Sequence, residues 1–154
     1  MPDAADLLLF ELGHQRFALP LAEVREIVRA VSQSRLPKAP EIVEGVINLR
    51  GRTVPVLDIR ARFRLAAKPV EPADHMVIAS AGQRLVALRV DRALGLLHLG
   101  ASEIDPVEGL SPHTDYLAGV GRLPDGLVLI HDLASFLSQA EATALAGLEE
   151  AALP

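Results

Sequence analysis

The sequence predicts a mainly β protein organised as two related β-modules in tandem, and three observations support this. First, GVINLRGRTVPVLDIRARF over residues 45–63 returns in weaker form 74 positions later as GVGRLPDGLVLIHDLASFL. Gly45 then falls on Gly119, Val46 on Val120, Leu49 on Leu123, Val54 on Val128, Asp58 on Asp132 and Ile59 on Leu133. Second, LLLFELGHQRFALPL (7–21) matches HMVIASAGQRLVALRV (75–90) through Gly13/Gly82, Phe17/Val86, Ala18/Ala87 and Leu19/Leu88. Third, the apolar runs are short and are bounded by polar, glycine-bearing turns, which is the signature of hairpins. Two small barrels side by side must share a groove.

The elements follow in order. Leu7–Leu12 and Arg16–Pro20 make the first hairpin around Gly13-His14-Gln15, and Pro20 stops the strand. Leu21, Val24, Ile27 and Val28 recur at helical spacing with Glu23, Arg25, Glu26 and Arg29 opposite, which predicts a short amphipathic helix. Pro37 and Pro40 stiffen a loop, and Pro40 suits the first position of a one-turn helix over Glu41–Glu44 that ends at Gly45. Val46–Leu49 and Thr53–Ile59 form a hairpin with Arg50-Gly51-Arg52 at its turn. Pro55 removes one donor from the second run, which predicts an edge strand or a neighbouring bulge.

Residues 66–74, AAKPVEPAD, read as the link between modules. Met76–Ser80 and Arg84–Val90 make the second opening hairpin, and Leu94–Leu99 is a further strand. Gly100–Tyr116, broken by Pro106 and Pro112, reads as a long, partly ordered loop. Leu117–Leu123 and Leu127–Ile130 close the second module. After Asp132 the period turns helical through Leu133, Phe136 and Leu137, and Ser138-x-x-Glu141 is a capping box that opens an Ala-rich helix.

Composition narrows the function. Half of the 154 residues are hydrophobic, but only four are Phe, one is Tyr and none is Trp, so the core must be aliphatic. A formal net charge of −5 argues against bulk attraction to nucleic acid or anionic lipid. With no cysteine there is neither a disulfide framework nor thiolate chemistry. The start, MPDAADLLLF, carries acids where an export signal carries bases, and no stretch is long enough to span a bilayer. These features predict a cytoplasmic protein.

The Val24-Arg25-Glu26-Ile27 segment, the Asn48-Leu49-Arg50-Gly51 turn and the Val54-Pro55-Val56-Leu57-Asp58-Ile59-Arg60 strand, taken together, resemble the CheW family of bacterial chemotaxis coupling proteins. The likeness runs from about Leu8 to Leu137. It implies a mainly β fold of two SH3-like five-stranded β-barrel subdomains around a shared hydrophobic core, with short helices and a C-terminal helix. The implied domain covers 5–138, with subdomain 1 over about 7–65 plus C-terminal elements, subdomain 2 over about 74–131, and a helical tail over 139–154.

The resemblance further implies a non-catalytic adaptor without cofactor. Its partners would be the cytoplasmic helical tip of a chemoreceptor and the regulatory domain of a CheA-type histidine kinase. The implied receptor groove takes in Val24, Glu26, Ile27, Gly45, Arg50, His75 and Leu96, and the implied kinase-facing residues are Ala87 and Ala93. An adaptor for pilus motility or another non-flagellar output would carry the same residues. The chain departs from the family where it has His131 for an aliphatic residue, Arg64 for a glycine and His75 for an apolar residue.

Each candidate has a structural alternative. Arg50, at a hairpin tip beside an apolar groove, either forks onto a partner's carboxylate or carbonyls, or braces its own turn against Glu26 or Glu44. Val24 and Ile27 are either core or contact residues. Gly45 either admits a partner helix or ends a helix of its own. Arg50, Arg52, Arg60, Arg62 and Arg64 form a basic stretch suited to an acidic partner or to nucleic acid, although the aromatics that would stack bases are nearly absent. Arg60-Ala61-Arg62 reads as the solvated face of a strand end.

Asp58 and Asp132, being equivalent by duplication, are assigned the same capping task rather than acid–base work. His113-Thr114-Asp115 and His131-Asp132 lack metal-ligand spacing, and Ser111-Pro112-His113 lacks a nucleophile-elbow frame. No catalytic or metal constellation is found.

Overall fold

The computed structural model describes residues 4–31, 33–35, 37–107, 117–135 and 141. Eleven strands and one short helix are present among them: β1 (Ala5–Leu12), β2 (Gln15–Pro20), β3 (Val24–Arg29), β4 (Val43–Leu49), β5 (Arg52–Leu57), α1 (Ile59–Arg62), β6 (His75–Ala81), β7 (Arg84–Val90), β8 (Arg92–Leu99), β9 (Ile104–Asp105), β10 (Leu117–Leu123) and β11 (Gly126–His131). They form a six-stranded sheet in the order β8-β1-β2-β11-β10-β9 and a five-stranded sheet in the order β3-β6-β7-β5-β4. The mainly β class and the four hairpins agree with the sequence.

The internal repeat is visible strand for strand, since β8-β1-β2-β11-β10 corresponds to β3-β6-β7-β5-β4. Even single pairs correspond: Ala18 lies opposite Ile130 across parallel β2 and β11, as Ala87 lies opposite Val56 across β7 and β5. The partition into about 7–65 plus C-terminal elements and about 74–131 does not coincide with the sheets, however. The first hairpin joins the late strands, and β3, β4 and β5 join the second hairpin. The two modules are interleaved, not consecutive.

Alternation along the central strands buries both faces. Leu8, Phe10, Leu12, Phe17 and Leu19 of the first sheet meet Leu57, Val77, Ala79, Val86, Leu88 and Val90 of the second in one shared layer. Ile59 and Leu133, equivalent residues just beyond β5 and β11, complete it. The opposite faces bury Leu7, Ala18, Val128 and Ile130 in the first sheet, and Ile47, Val54, Val56, Met76, Ile78 and Ala87 in the second. At about 1.5–3 kcal/mol for each large aliphatic residue removed from water, this aliphatic packing dominates the stabilisation. Among the described residues Phe10 and Phe17 lie in the shared layer and Phe63 packs against it, with the Phe17 ring centroid 5.9 Å from that of Phe10 and 4.9 Å from that of Phe63.

Several local expectations are corrected. Val24–Arg29 is strand β3, not a helix. Its β-branched Val24, Ile27 and Val28 favour the extended form, and its side chains alternate between half-buried and exposed. Glu41 and Ile42 make a turn closed by Val43 N–H donating to Pro40 O at 2.9 Å, and β4 starts at Val43, so Glu44 and Gly45 are strand residues.

β5 is an interior strand and not an edge, while the alternative expectation, a neighbouring bulge, is met by the register shift between Val43 and Gly45 of β4, beside the Val46–Pro55 pair. Pro55 stands where the first sheet pairs Leu129 with Phe17, and the second sheet has no corresponding pair, as a residue without N–H dictates. Arg60-Ala61-Arg62 is helix α1, capped by Asp58 Oδ1 accepting from Ala61 N–H at 3.1 Å, and Arg60 is buried. Beyond Asp132 the described residues make a 3-10 turn over Leu133–Ser135. The helical face at Phe136 and Leu137, the Ser138 cap, the Ala-rich tail and the 111–115 histidine segment lie outside the described residues.

Candidate docking site

The Arg50 turn is held by its backbone conformation and by side-chain hydrogen bonds. Arg50 and Gly51 both have positive φ, at 51° and 85°, as a two-residue hairpin loop of the twisted kind requires. Gly51 takes this conformation freely, whereas a side chain at Arg50 costs about 1–2 kcal/mol. Asn48 Oδ1 fixes the turn by accepting from Gly51 N–H at 2.7 Å.

The Arg50 guanidinium forks onto the Glu26 carboxylate, with Nη1 donating to Oε1 at 3.1 Å and Nη2 to Oε2. Hydrogen bonding from Arg50 holds the Glu26 carboxyl below its usual range, and the same bond raises the guanidinium. The pair ties β3 to the β4–β5 turn, elements at opposite edges of the five-stranded order, so this sheet is strongly curled. Bracing is therefore real, and it leaves the Arg50 side chain 70% exposed.

Strand register separates the implied groove residues into two groups. Val24 lies opposite Ala79, Ile27 opposite Val77 and His75 opposite Val90, and all three of those partners belong to the shared layer. Leu96 lies opposite Leu8, again a residue of the shared layer. Because directly paired strand residues point to the same side, Val24 and Ile27 on edge strand β3, Leu96 on edge strand β8 and His75 at the start of β6 border the shared layer. Glu26 lies opposite Ile78, in the separate interior of the second sheet. Glu26 and Arg50 thus line a different cleft of about 400 Å³ with Arg25, Leu49, Arg52 and Leu85.

Gly45 joins neither group as a contact residue. A Cβ there would lie 2.6 Å from Gln33 Oε1 and 3.0 Å from Ser34 O, so the glycine admits the chain's own segment, which bridges to β4 at Val46. Ala87 is fully buried among Ile78, Val56 and their neighbours, so it has no surface to offer a partner. Ala93 is half-buried at the start of β8, its N–H donating to His75 Nδ1 at 3.1 Å, which places the imidazole proton on Nε2.

Sequence reasoning missed an ionic chain that links both sheets. Glu44 on β4 accepts from Arg89 on β7, and Arg89 Nη1 also donates to Asp74 at 3.1 Å. Lys68 joins Asp74 to Asp91 at 3.4 and 3.2 Å. Asp91 accepts from Arg60 Nη2 at 2.6 Å and from Gly13 N–H, in the turn of the first hairpin, at 2.8 Å. Burial pushes the Asp91 carboxyl up, but the bonds from Arg60, Gly13 and Lys68 prevail and hold it below the usual range. Residues 66–74 are thereby strapped down, and Arg89 and Arg60 also donate to the carbonyls of Lys68 and Ala66.

Several other titratable groups have structural partners. Arg60 pairs with Asp91 and Arg62 with Glu141, so the arginine stretch does not form one basic face. Asp132 accepts through its main-chain oxygen from Ser135 N–H at 3.3 Å, while Asp58 caps through its side chain. His131 packs edge-on against Phe63, centroids 5.1 Å apart. Among the described residues no three His, Asp or Glu side chains are grouped to hold a metal ion.

Comparison with known proteins agrees with this architecture. A family model described as the CheW-like domain matches residues 6–141. The chain is 30% identical to the chemotaxis protein CheW of Klebsiella aerogenes over 88% of its own length and 83% of that protein. It is 27% identical to protein FrzA of Myxococcus xanthus, over 75% and 72% of the two chains. The crystal structure of the scaffolding protein TtCheW from Thermoanaerobacter tengcongensis superposes with a TM-score of 0.81 at 25% identity, covering 92% of this chain and 96% of that one. The two interleaved sheets, the Arg50 turn and these likenesses agree, and the match over residues 6–141 shows that the chain belongs to the CheW-like domain family.

Proposed function

We propose that this protein is a non-catalytic adaptor that couples a chemoreceptor's cytoplasmic helical tip to the regulatory domain of a CheA-type histidine kinase. The observation that carries this reading is a matched pair of exposed aliphatic residues. Leu96 on β8 is 72% exposed and Ile27 on β3 is 41% exposed, at corresponding places beside equivalent hairpins. Both stand at the margin of the layer that buries the core. An amphipathic helix laid against them would extend that layer outward, with apolar anchors supplying affinity. The Arg50–Glu26 brace holds the hairpin tip at the neighbouring cleft in place, and Ala93 at the start of β8 is the kinase-facing residue that remains once Ala87 is removed.

Linked binding of two such partners transmits receptor state to the kinase through a coupling free energy of roughly 1–3 kcal/mol. No helix among the described residues is long and apolar enough to cross a membrane, and the proposed adaptor works in the cytoplasm, recruited to receptor arrays. Likeness to FrzA, a relative not named for chemotaxis, keeps pilus motility or another output as the second reading.

The test is co-purification of the full chain with a receptor-tip fragment and with a kinase regulatory domain. Leu96→Asp and Arg50→Glu should each abolish retention of the receptor fragment with thermal midpoints shifted by only a few degrees, and Ala93→Asp should weaken kinase retention more than receptor retention. Retention of both partners by every variant would overturn the reading.

A further inference from the structure

Two adjoining clefts at the hairpin tips of the second sheet, of about 400 and 630 Å³, carry Arg25, Arg50, Arg52 and Arg84 against one carboxylate, Glu26. The chain as a whole has a formal net charge of −5, so this excess of positive charge belongs to the site and not to the composition. The four cations are not equivalent. Arg50 has both outer nitrogens committed to Glu26. Arg25 donates through Nε to the Ser80 hydroxyl at 3.0 Å, and Arg84 also has interactions within the molecule. Arg52 is exposed, opens β5, lines both clefts, and has no ion-pair partner among the described residues.

A guanidinium that already holds a carboxylate gains little from a second one, because the two anions repel each other and compete for the same fork. An uncommitted guanidinium presents its five donors undivided. We infer that Arg52, not Arg50, is the residue that reads charge on this face, and that it takes a carboxylate from an acidic helix of the partner. This rests on the adaptor reading above and adds the chemistry of the contact.

Leu49 and Leu85 border the same clefts and offer apolar contact beside the charge, which suits a protein helix. Neither cleft has an aromatic lining residue on which a base could stack, which disfavours nucleic acid. Arg50 and Glu26 then act as positioning residues that hold the turn from which β5, and so Arg52, departs.

The experiment titrates a purified receptor-tip fragment into the full chain at about 50 and about 300 mM salt, with wild type, Arg52→Gln, Arg52→Lys and, on the other sheet, Arg122→Gln. Arg52→Gln should weaken binding about fivefold at the lower salt and less than about twofold at the higher, consistent with a screened, exposed charge contact. Arg52→Lys should recover part of the loss, and Arg122→Gln should bind as wild type. Circular dichroism and thermal midpoints should be unchanged, since the exposed Arg52 side chain makes no hydrogen bond or ion pair among the described residues.

Wild-type affinity and salt dependence in Arg52→Gln would overturn the inference while leaving the adaptor reading intact. Failure of the fragment to bind wild type would overturn both. Competition by duplex DNA at comparable affinity would overturn the choice of an acidic protein helix.

Discussion

Replacing His131 with leucine should make the fold less sensitive to acid. His131 ends β11, is 1% exposed, and occupies the position equivalent to Leu57 in the shared layer. Burial lowers its imidazole from 6.5 to about 3, so the folded protein keeps it neutral through the mildly acidic range. The unfolded chain takes up a proton there as pH falls below about 6.5. More protons are then bound to the unfolded state, and stability falls between about pH 6.5 and about pH 3 with a slope approaching 1.4 kcal/mol per unit. At about pH 5 the loss is roughly 2 kcal/mol, and it is fully expressed only below about pH 3.

Leucine has no proton to lose or gain, so this component disappears. The assay is urea denaturation of both proteins at about pH 8, 6.5 and 5. The stability difference between His131→Leu and wild type should grow in favour of the variant by roughly 2 kcal/mol from the first condition to the last. A difference that stays constant with pH, or an imidazole resonance of the folded protein titrating near 6.5, would refute the reasoning.

Three further outcomes follow from local geometry. Arg64 has φ 59° at the residue after the α1 C-cap, where Arg64 N–H donates to Ala61 O at 3.2 Å and Leu65 N–H to Arg60 O at 2.8 Å, the paired bonds of a glycine-type helix end. Arg64→Gly should therefore raise the urea midpoint by a gain of about 1 kcal/mol. Gly45→Ala should destabilise by about 1–3 kcal/mol in the same assay, because the Ser34 carbonyl that meets the new methyl is backbone and part of a β-bridge. Arg89→Met leaves Glu44 and Asp74 without their shared cation and should cost about 3–5 kcal/mol, whereas Arg52→Met on the surface should change the midpoint little.

Much of the fold was legible because duplication writes the same hairpin twice. Gly13 and Gly82 mark equivalent turns, and the Val54 and Val128 strands repeat their alternation. The pairing partners were not legible, and the repeat itself is the reason. Ala18 meets Ile130 and Ala87 meets Val56 in equivalent geometry, so nothing local tells β2 to choose β11 over β5.

β3 was misread because Val24, Ile27 and Val28 fit a helical spacing, and the register shift between Val24 and Glu26 puts Val24 and Ile27 three apart instead of at the apolar alternation of a regular strand. The Glu44–Arg89–Asp74 contacts join residues 45 and 15 positions apart, and no local spacing pairs them. At the docking site, Arg50 and its alternative partner Glu26 were both named from the sequence. Its division into two faces and the burial of Ala87 emerge only from register and packing.

The pairing of Phe17 with Leu129 has a consequence for biogenesis. A ribosome delivers β2 before β3 to β10 and β11 only after them, so the first hairpin waits with one edge open while those eight strands are made. During that interval β5, already present and closely similar to β11, is a ready competitor for that edge. Such distant closure slows folding, and the late strands must capture β2 before a neighbouring nascent chain does.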